Sequence, residues 1–358
     1  MSDANGHRDL SVDIAKALGI LMVVFCHANF APASPFRFFH MALFFFLTGW
    51  LSSFKSDFMP FIGAKIRHLY LPFVVCELVF LLLHNTLFLR LGLSTAPSMP
   101  LGEQFVRIVC FDNVEIMLSP LWFLPALFFV NILCYALVRL MRNRPLLLFV
   151  VSLIIMSAGL VLGRFSWLLL PSPTFSYAVG VILVAQFFCI GGYLLRRLGF
   201  KFDKWYLALI ALCYLYAAKL LLGLSVDMRV NHYSNVALWV LSVCAGVYFT
   251  MWLASSLAAL CADRNRLAAV LAYPGRHSLI VLMLHILCFK LVGLLQVHCF
   301  GYDITLLPLW ENLSKAWLWT LAYAFAGTLL PLILPLLYDT LRSVRANWLY
   351  NKSKGNRH

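Results

Sequence analysis

Charge is scarce in this chain. Asp and Glu number only 14 in 358 residues, and all charged types together reach 12%, about half the share a soluble domain carries. That excludes an ordinary soluble globular class. Cys-x-x-Cys spacing is missing as well. Ten cysteines stand at 26, 76, 110, 134, 189, 213, 244, 261, 288 and 299, most of them inside apolar runs, where Cys packs as a small hydrophobe. Without ligand-spaced Cys and His pairs, no metal site is expected. Cys110 and Cys299 fall in connectors of one side, but a disulfide between them is not expected. A Gly-x-Ser-x-Gly elbow is absent, which weakens any serine-triad reading. The N-terminus shows no short apolar core followed by a small-residue cleavage site, so the first apolar run is expected to be a retained helix. No internal repeat or low-complexity segment is visible, and the lack of an inverted repeat argues against a transporter.

Long apolar runs are what the chain has instead. Hydrophobic residues make up 63% of it, with a mean hydropathy of +0.88. A span needs about 20 apolar residues. Segments of that kind fall at about 10–29, 38–54, 69–91, 120–141, 145–163, 177–195, 205–224, 234–260, 279–297 and 315–338. The pattern predicts an all-α integral membrane protein of about ten transmembrane helices. Residues 1–342 would form a single transmembrane domain, and 343–358 a basic, mobile cytoplasmic tail. The connectors at about 92–119 and 298–314 are the longest, and neither can hold a core of its own.

The formal net charge is +14. In a soluble protein that would suggest nucleic acid, but here the basic residues sit in short connectors between apolar runs. With the N-terminus inside, the basic residues outside the inward segments are Arg37, Arg90, Arg107, Arg164, Lys219, Arg229, Lys290 and Lys315. The rest fall inward: Arg8 and Lys16, then Lys55, Lys65 and Arg67, then Arg139 to Arg144, Arg196 to Lys204, Arg264 to Arg276, and Arg342 to Arg357. Every inward connector is basic, which fits an even span count with both termini cytoplasmic. The outward connectors carry Glu103, Asp112, Glu115, Asp227, Asp303 and Glu311. Membrane lipids are therefore expected partners, and nucleic acid is not.

Ionisable residues inside spans are costly and read as functional by default. On the first helix, Lys16 and His27 lie about 20° apart around the axis, with Asp13 about 40° to the other side of His27, so the three form one polar stripe. Lys16 and His27 are separated by about 16 Å along the axis. That geometry suits a donor with an anionic head and a long arm: cations hold phosphates near the inner face, and an imidazole deeper in meets the reactive end. A neutral imidazole can take a proton from a hydroxyl. A snorkelling Lys16 with an interfacial His27 is the plain alternative. His40 opens the second segment near His27, and Thr48-Gly49 permits close helix approach. Lys65, Arg67 and His68 read either as topology determinants or as a phosphate clamp. Glu77 and His84 share a face of the third segment. Trp122 reads as an interfacial anchor or as a platform for a sugar ring. Ser278 and His285 share a face of the ninth segment, which Arg276 precedes.

Taken together these residues resemble the signature of the membrane acyltransferase-3 family. The runs are Asp13-Ile14-Ala15-Lys16 through His27, Phe39-His40-Met41-Ala42-Leu43-Phe44-Phe45-Phe46-Leu47-Thr48-Gly49, Lys65/Arg67 before Leu71-Pro72, Leu121-Trp122-Phe123-Leu124, and Gly275-Arg276-His277-Ser278 with His285. They occur in the expected order from about residue 10 to 290. The family includes polysaccharide O-acetyltransferases and fucose 4-O-acetylase-like proteins. The resemblance implies acetyl-coenzyme A as donor, transfer to sugar hydroxyls of a periplasmic or surface glycan, and a multi-pass protein of the bacterial inner membrane. The family's Arg-x10-His pattern maps to Lys16-x10-His27. Lys keeps the charge and loses the guanidinium fork. Ala42 stands where Pro is usual, and no esterase-like domain is expected after the last helix.

On this reading Lys16, Lys65, Arg67 and Arg276 hold the donor's phosphates. Asp13 orients Lys16. His27 serves as general base or as a transient acyl carrier. His40, Trp122, Glu77 and His285 face a glycan or lipid-linked sugar. The rival class is a transporter or flippase for a sugar or anionic substrate, built on Lys16, Glu77, His84, His285 and Lys290.

Overall fold

A computed structural model describes residues 9–95, 99–164, 173–261, 263–309 and 311–355. Arg8 and Arg357 of the inward basic set lie outside these residues, as do the side chains of Arg164, Lys352 and Lys354.

The described chain is helical nearly throughout. In order, the helices are α1 (Leu10–His27), α2 (His40–Leu51), α3 (Phe58–Phe88), α4 (Leu101–Val109), α5 (Phe123–Leu140), α6 (Pro145–Arg164), α7 (Pro173–Arg197), α8 (Trp205–Leu220), α9 (Val236–Leu260), α10 (Asn265–Arg276), α11 (Ser278–Phe300) and α12 (Trp317–Gly355). A two-residue hairpin, β1 (Val226–Asp227) against β2 (His232–Tyr233), is antiparallel and joins α8 to α9. Among the described residues eight helices are long and apolar enough to cross a membrane, so the chain is a multi-span membrane protein. Each of the ten apolar segments read from the sequence contains a helix. Two of them, α2 and α8, have only 12 and 16 residues, and at 1.5 Å per residue they are shorter than a hydrocarbon core of about 30 Å.

Three boundaries differ from the sequence reading. The third helix starts at Phe58 rather than near 69, so Lys65, Arg67 and His68 ride on the helix and not in a connector. Pro72 does not break it, because the turn Ile66–Tyr70 just before it is π-helical; such local adjustment takes up the carbonyls that a proline leaves unpaired. The fourth segment enters through a 3-10 turn, Ile116–Trp122, where the Glu115 side chain accepts from the Met117 amide. The last helix runs on through the basic tail to Gly355, so no break in structure marks 342. Cys110 and Cys299 are both free thiols.

Helix α1 is the hub. It packs on α2, α9, α10, α11 and α12, and 61% of its apolar window is buried, against 17% for α3. A hub helix must shed side-chain bulk at its crossings. At Gly275 a Cβ would land on the Asp13 carbonyl oxygen, so only glycine lets α10 lie this close to the start of α1. The same device brings α2 onto α7, where Gly49 sits on the Cys189 carbonyl and Gly192 on that of Phe46. This is the close approach expected from Thr48-Gly49.

Candidate functional site

Two cavities lie along α1. The first, of about 350 Å³, is lined at its polar end by Lys16, Lys65 and Arg276, and elsewhere by apolar side chains such as Ile20, Phe44 and Phe123. The second, of about 510 Å³, is lined by His27, Arg37, His40, Trp122, Asp227 and Glu311, among others. Three side chains, Val23, Met41 and Leu282, belong to both walls. Lys16 and His27 of the α1 polar stripe therefore line two neighbouring cavities, and Val23, Met41 and Leu282 form an apolar wall common to both.

At the first cavity, Arg276 Nε donates to Asp13 Oδ2 at 3.1 Å, and Asp13 is 3% exposed at the side chain. The close crossing at Gly275 is what brings the two together. Asp13 thus serves Arg276, a role its spacing to Lys16 did not suggest. Lys65 holds its ammonium 5.1 Å from the Phe61 ring centroid, within cation–π range. Arg67 is exposed and borders neither cavity. Two residues on along the helix from Lys65, it points to another side, so the clamp expected from Lys65 and Arg67 together does not form.

At the second cavity, His27 Nδ1 lies 3.1 Å from Glu311 Oε2, with the two side chains 30% and 40% exposed. Burial opposes ionisation of Glu311, yet the His27 hydrogen bond and the neighbouring His27, His285 and Lys290 hold its carboxyl below the usual 4.5. Its loop is tied down beside it. Asn312 Nδ2 donates to the His27 carbonyl at 3.1 Å, and Asn29 Nδ2 donates to Asn312 Oδ1 at 2.9 Å. Deeper in α11, Lys290 Nζ donates to the Leu307 carbonyl, and Tyr323 Oη accepts from the Leu313 amide. The Glu311 loop is thus strapped both to the end of α1 and to the core.

Two more imidazoles stand near. His40 Nδ1 meets the Phe36 carbonyl at 2.9 Å, and His40 lines the cavity. The His285 ring lies edge-to-face with His27, centroids 5.2 Å apart. Its Nδ1 is 3.0 Å from the carbonyls of Val281 and Leu282, which places its proton there. The fully buried Nε2 is left as a lone pair with no hydrogen-bond partner among the described residues. Buried polar atoms are seldom left so; one beside a candidate base suits a ligand group.

Glu77 goes elsewhere. It is fully buried and accepts from Asn113 Nδ2 at 2.6 Å and the Glu115 amide at 3.1 Å. His84 Nδ1 binds Glu115 at 2.9 Å. These groups pin the connector before Trp122 and border neither cavity. The sequence reading missed Glu311, Arg37, Asp227 and Asn312. Glu311 was visible as one of few carboxylates in an acid-poor chain, but its pairing with a residue 284 positions away left no local mark. Among the described residues no three His, Cys, Asp or Glu side chains gather closely enough to hold a metal ion.

Comparison with known proteins gives one match: an acyltransferase-domain family model, that of the acyltransferase-3 family, covers residues 9–336. No curated protein and no solved structure matches significantly.

Proposed function

Since the chain belongs to the acyltransferase-3 family and is a membrane acyltransferase, we propose that it moves an acetyl group from acetyl-coenzyme A at the Lys16 end of α1 to a sugar hydroxyl at the His27 end. The observation that carries this reading is the placement of both residues of the Lys16-x10-His27 pattern on one helix, each lining a cavity, with the two cavities sharing an apolar wall.

Lys16, Lys65 and Arg276 supply a cationic rim for the donor's phosphates, and Asp13 holds Arg276 in place. The apolar walls beyond them suit an extended arm and its thioester. His27, with Nδ1 turned to Glu311, offers Nε2 to the acceptor hydroxyl. The hydroxyl oxygen bonds to the acetyl carbon as the carbon–sulfur bond breaks. The hydroxyl proton passes to His27 and from there to the departing thiolate. Transient acetylation of His27 is the other route. A chase of labelled acetyl-coenzyme A in the absence of acceptor separates the two: protein-bound label supports the carrier route. Trp122 offers an aromatic face to the sugar with His40 on the same wall, and His285 packs edge-to-face on His27 behind them.

The side assignment rests on charge and convergence. Residues that the charge pattern assigns outward, such as Asp227 and Glu311, line one cavity, while Lys65 and Arg276, assigned inward, line the other. Ten crossings follow if α2 and α8 complete their spans in the protein interior, with both termini cytoplasmic, in a bacterial inner membrane, and with a periplasmic or surface glycan or its lipid-linked precursor as acceptor. Against the transporter alternative, Glu77 and His84 are used up pinning a connector, and Lys290 in strapping the Glu311 loop.

His27→Ala is expected to abolish transfer of label from acetyl-coenzyme A to membrane glycans while the protein still inserts and binds the donor. Retained transfer would remove His27 from the mechanism.

A further inference from the structure

We propose that Val23, Met41 and Leu282 form a gauge that sets which acyl chain passes from the donor cavity to the acceptor cavity. The inference rests on the functional reading above and deepens it. These three side chains, from α1, α2 and α11, are the ones common to both cavity walls. In this proposal the apolar wall they form opens as a neck at which the reactive end of a donor arm meets the acceptor. Val23 lies one helical turn before His27, about 6 Å along the axis, so an acyl group at the neck is within reach of that imidazole.

The neck is apolar and stiff on two sides. Val23 is 1% exposed and Leu282 7%, and the β-branch of valine leaves it little freedom at χ1. Behind Met41 the donor cavity is walled by Phe44 and Phe123, whose rings pack edge-to-face at 5.8 Å. Phe123 packs on Phe45 as well, at 5.0 Å. Extra methylenes on the acyl group have no soft wall to push against except Met41, the one flexible side chain of the three. No polar atom of these side chains can draw water to the thioester, so the neck also keeps hydrolysis from competing with transfer. The reaction at the gauge is the balanced exchange given above with a longer acyl group in place of acetyl: one thioester and one hydroxyl give one ester and one thiol.

The test is a competition in membranes containing the protein, with acetyl-, propionyl- and butyryl-coenzyme A supplied together and ester products on the membrane glycans counted by mass. Wild type is expected to favour acetyl. Met41→Ala and Leu282→Ala are each expected to raise the propionyl-to-acetyl ratio about tenfold or more, the discrimination that one methylene commands in an apolar pocket. Met41→Leu, which conserves volume, keeps the wild-type ratio. If an alanine variant fails to accumulate, Met41→Val and Leu282→Val open the neck by less and are expected to move the ratio in the same direction. Ratios within twofold of wild type in the opened variants, or loss of acetyl transfer in them with donor binding intact, would overturn the gauge. A wild-type protein that binds donor and transfers no acyl group at all would instead overturn the functional reading.

Discussion

Removing the Glu311 carboxylate tests whether the His27 imidazole is oriented from the loop. Glu311 Oε2 accepts from His27 Nδ1 at 3.1 Å. A hydrogen bond to a charged group is worth about 1.5–3 kcal/mol when shielded. Here the two side chains are 30% and 40% exposed, so water recovers part of it and the lower half of that range applies. At about 1.4 kcal/mol per tenfold in rate, Glu311→Ala is expected to lower kcat about ten- to fortyfold. The Michaelis constant for acetyl-coenzyme A stays near wild type, because Glu311 borders only the second cavity. Glu311→Gln keeps an acceptor for Nδ1 without the charge and falls between. Asn312 still ties the loop to the His27 carbonyl in both variants, so the loss is not one of folding. The readout is initial-rate transfer from labelled acetyl-coenzyme A into the glycan fraction at saturating donor. A Glu311→Ala enzyme within twofold of wild type, or one impaired only in donor binding, would refute the argument.

Other variants probe the donor end and the scaffold. Gly275→Ala should destabilise the protein by about 1–3 kcal/mol, because its Cβ meets the Asp13 carbonyl and overpacking of that kind outweighs the gain of about 1 kcal/mol in helix propensity; thermal unfolding in detergent reads the sign, and donor binding falls with it as Arg276 is pushed off Asp13. Lys65→Ala should weaken donor binding about fivefold or more while Arg67→Ala leaves it within twofold, measured by equilibrium dialysis with labelled acetyl-coenzyme A, since of the two only Lys65 borders the first cavity, the proposed donor site. Glu311 is held below its usual 4.5, so its contribution to stability is complete above that value and is lost as pH falls through its lower value in the folded protein; the difference in melting temperature between wild type and Glu311→Gln should be constant from pH 6 to 8 and shrink below 4.5.

Much of this architecture could be read from the chain because membrane solvation leaves few options. A backbone in hydrocarbon must satisfy itself locally, so each apolar run had to become a helix, and each did. The placement of Lys16 and His27 on one helix was legible for the same reason, because helical periodicity is local. The start of α3 was not, because the π-turn before Pro72 depends on backbone register rather than on residue type. The fate of Glu77 was equally hidden. Its face on the helix suggested a share in the channel, whereas backbone amides 37 and 38 residues later bind it. Glu311 shows the limit most clearly, since nothing near position 311 says that the loop folds back over the end of α1. Contacts between distant segments follow from how the helices pack, and packing depends on small residues such as Gly275 whose partners a single sequence does not name.

The central placement of α1 also explains how one chain can keep its two cavities in step. Lys16 and His27 ride on the same buried helix, about 16 Å apart along its axis, and a regular helix does not stretch. Their separation is thus fixed whatever the surrounding helices do. The groups that tune them come from other elements: Arg276 from α10 and Glu311 from the loop before α12. The neck, in contrast, is assembled from three helices, so a small shift of α2 or α11 against α1 changes its width while leaving the distance between cation and imidazole untouched. On the proposed function, reach and selectivity would be set by separate parts of the structure. A substitution at the neck should change which acyl group is passed without changing where the donor is held, and one at the cationic rim should do the reverse.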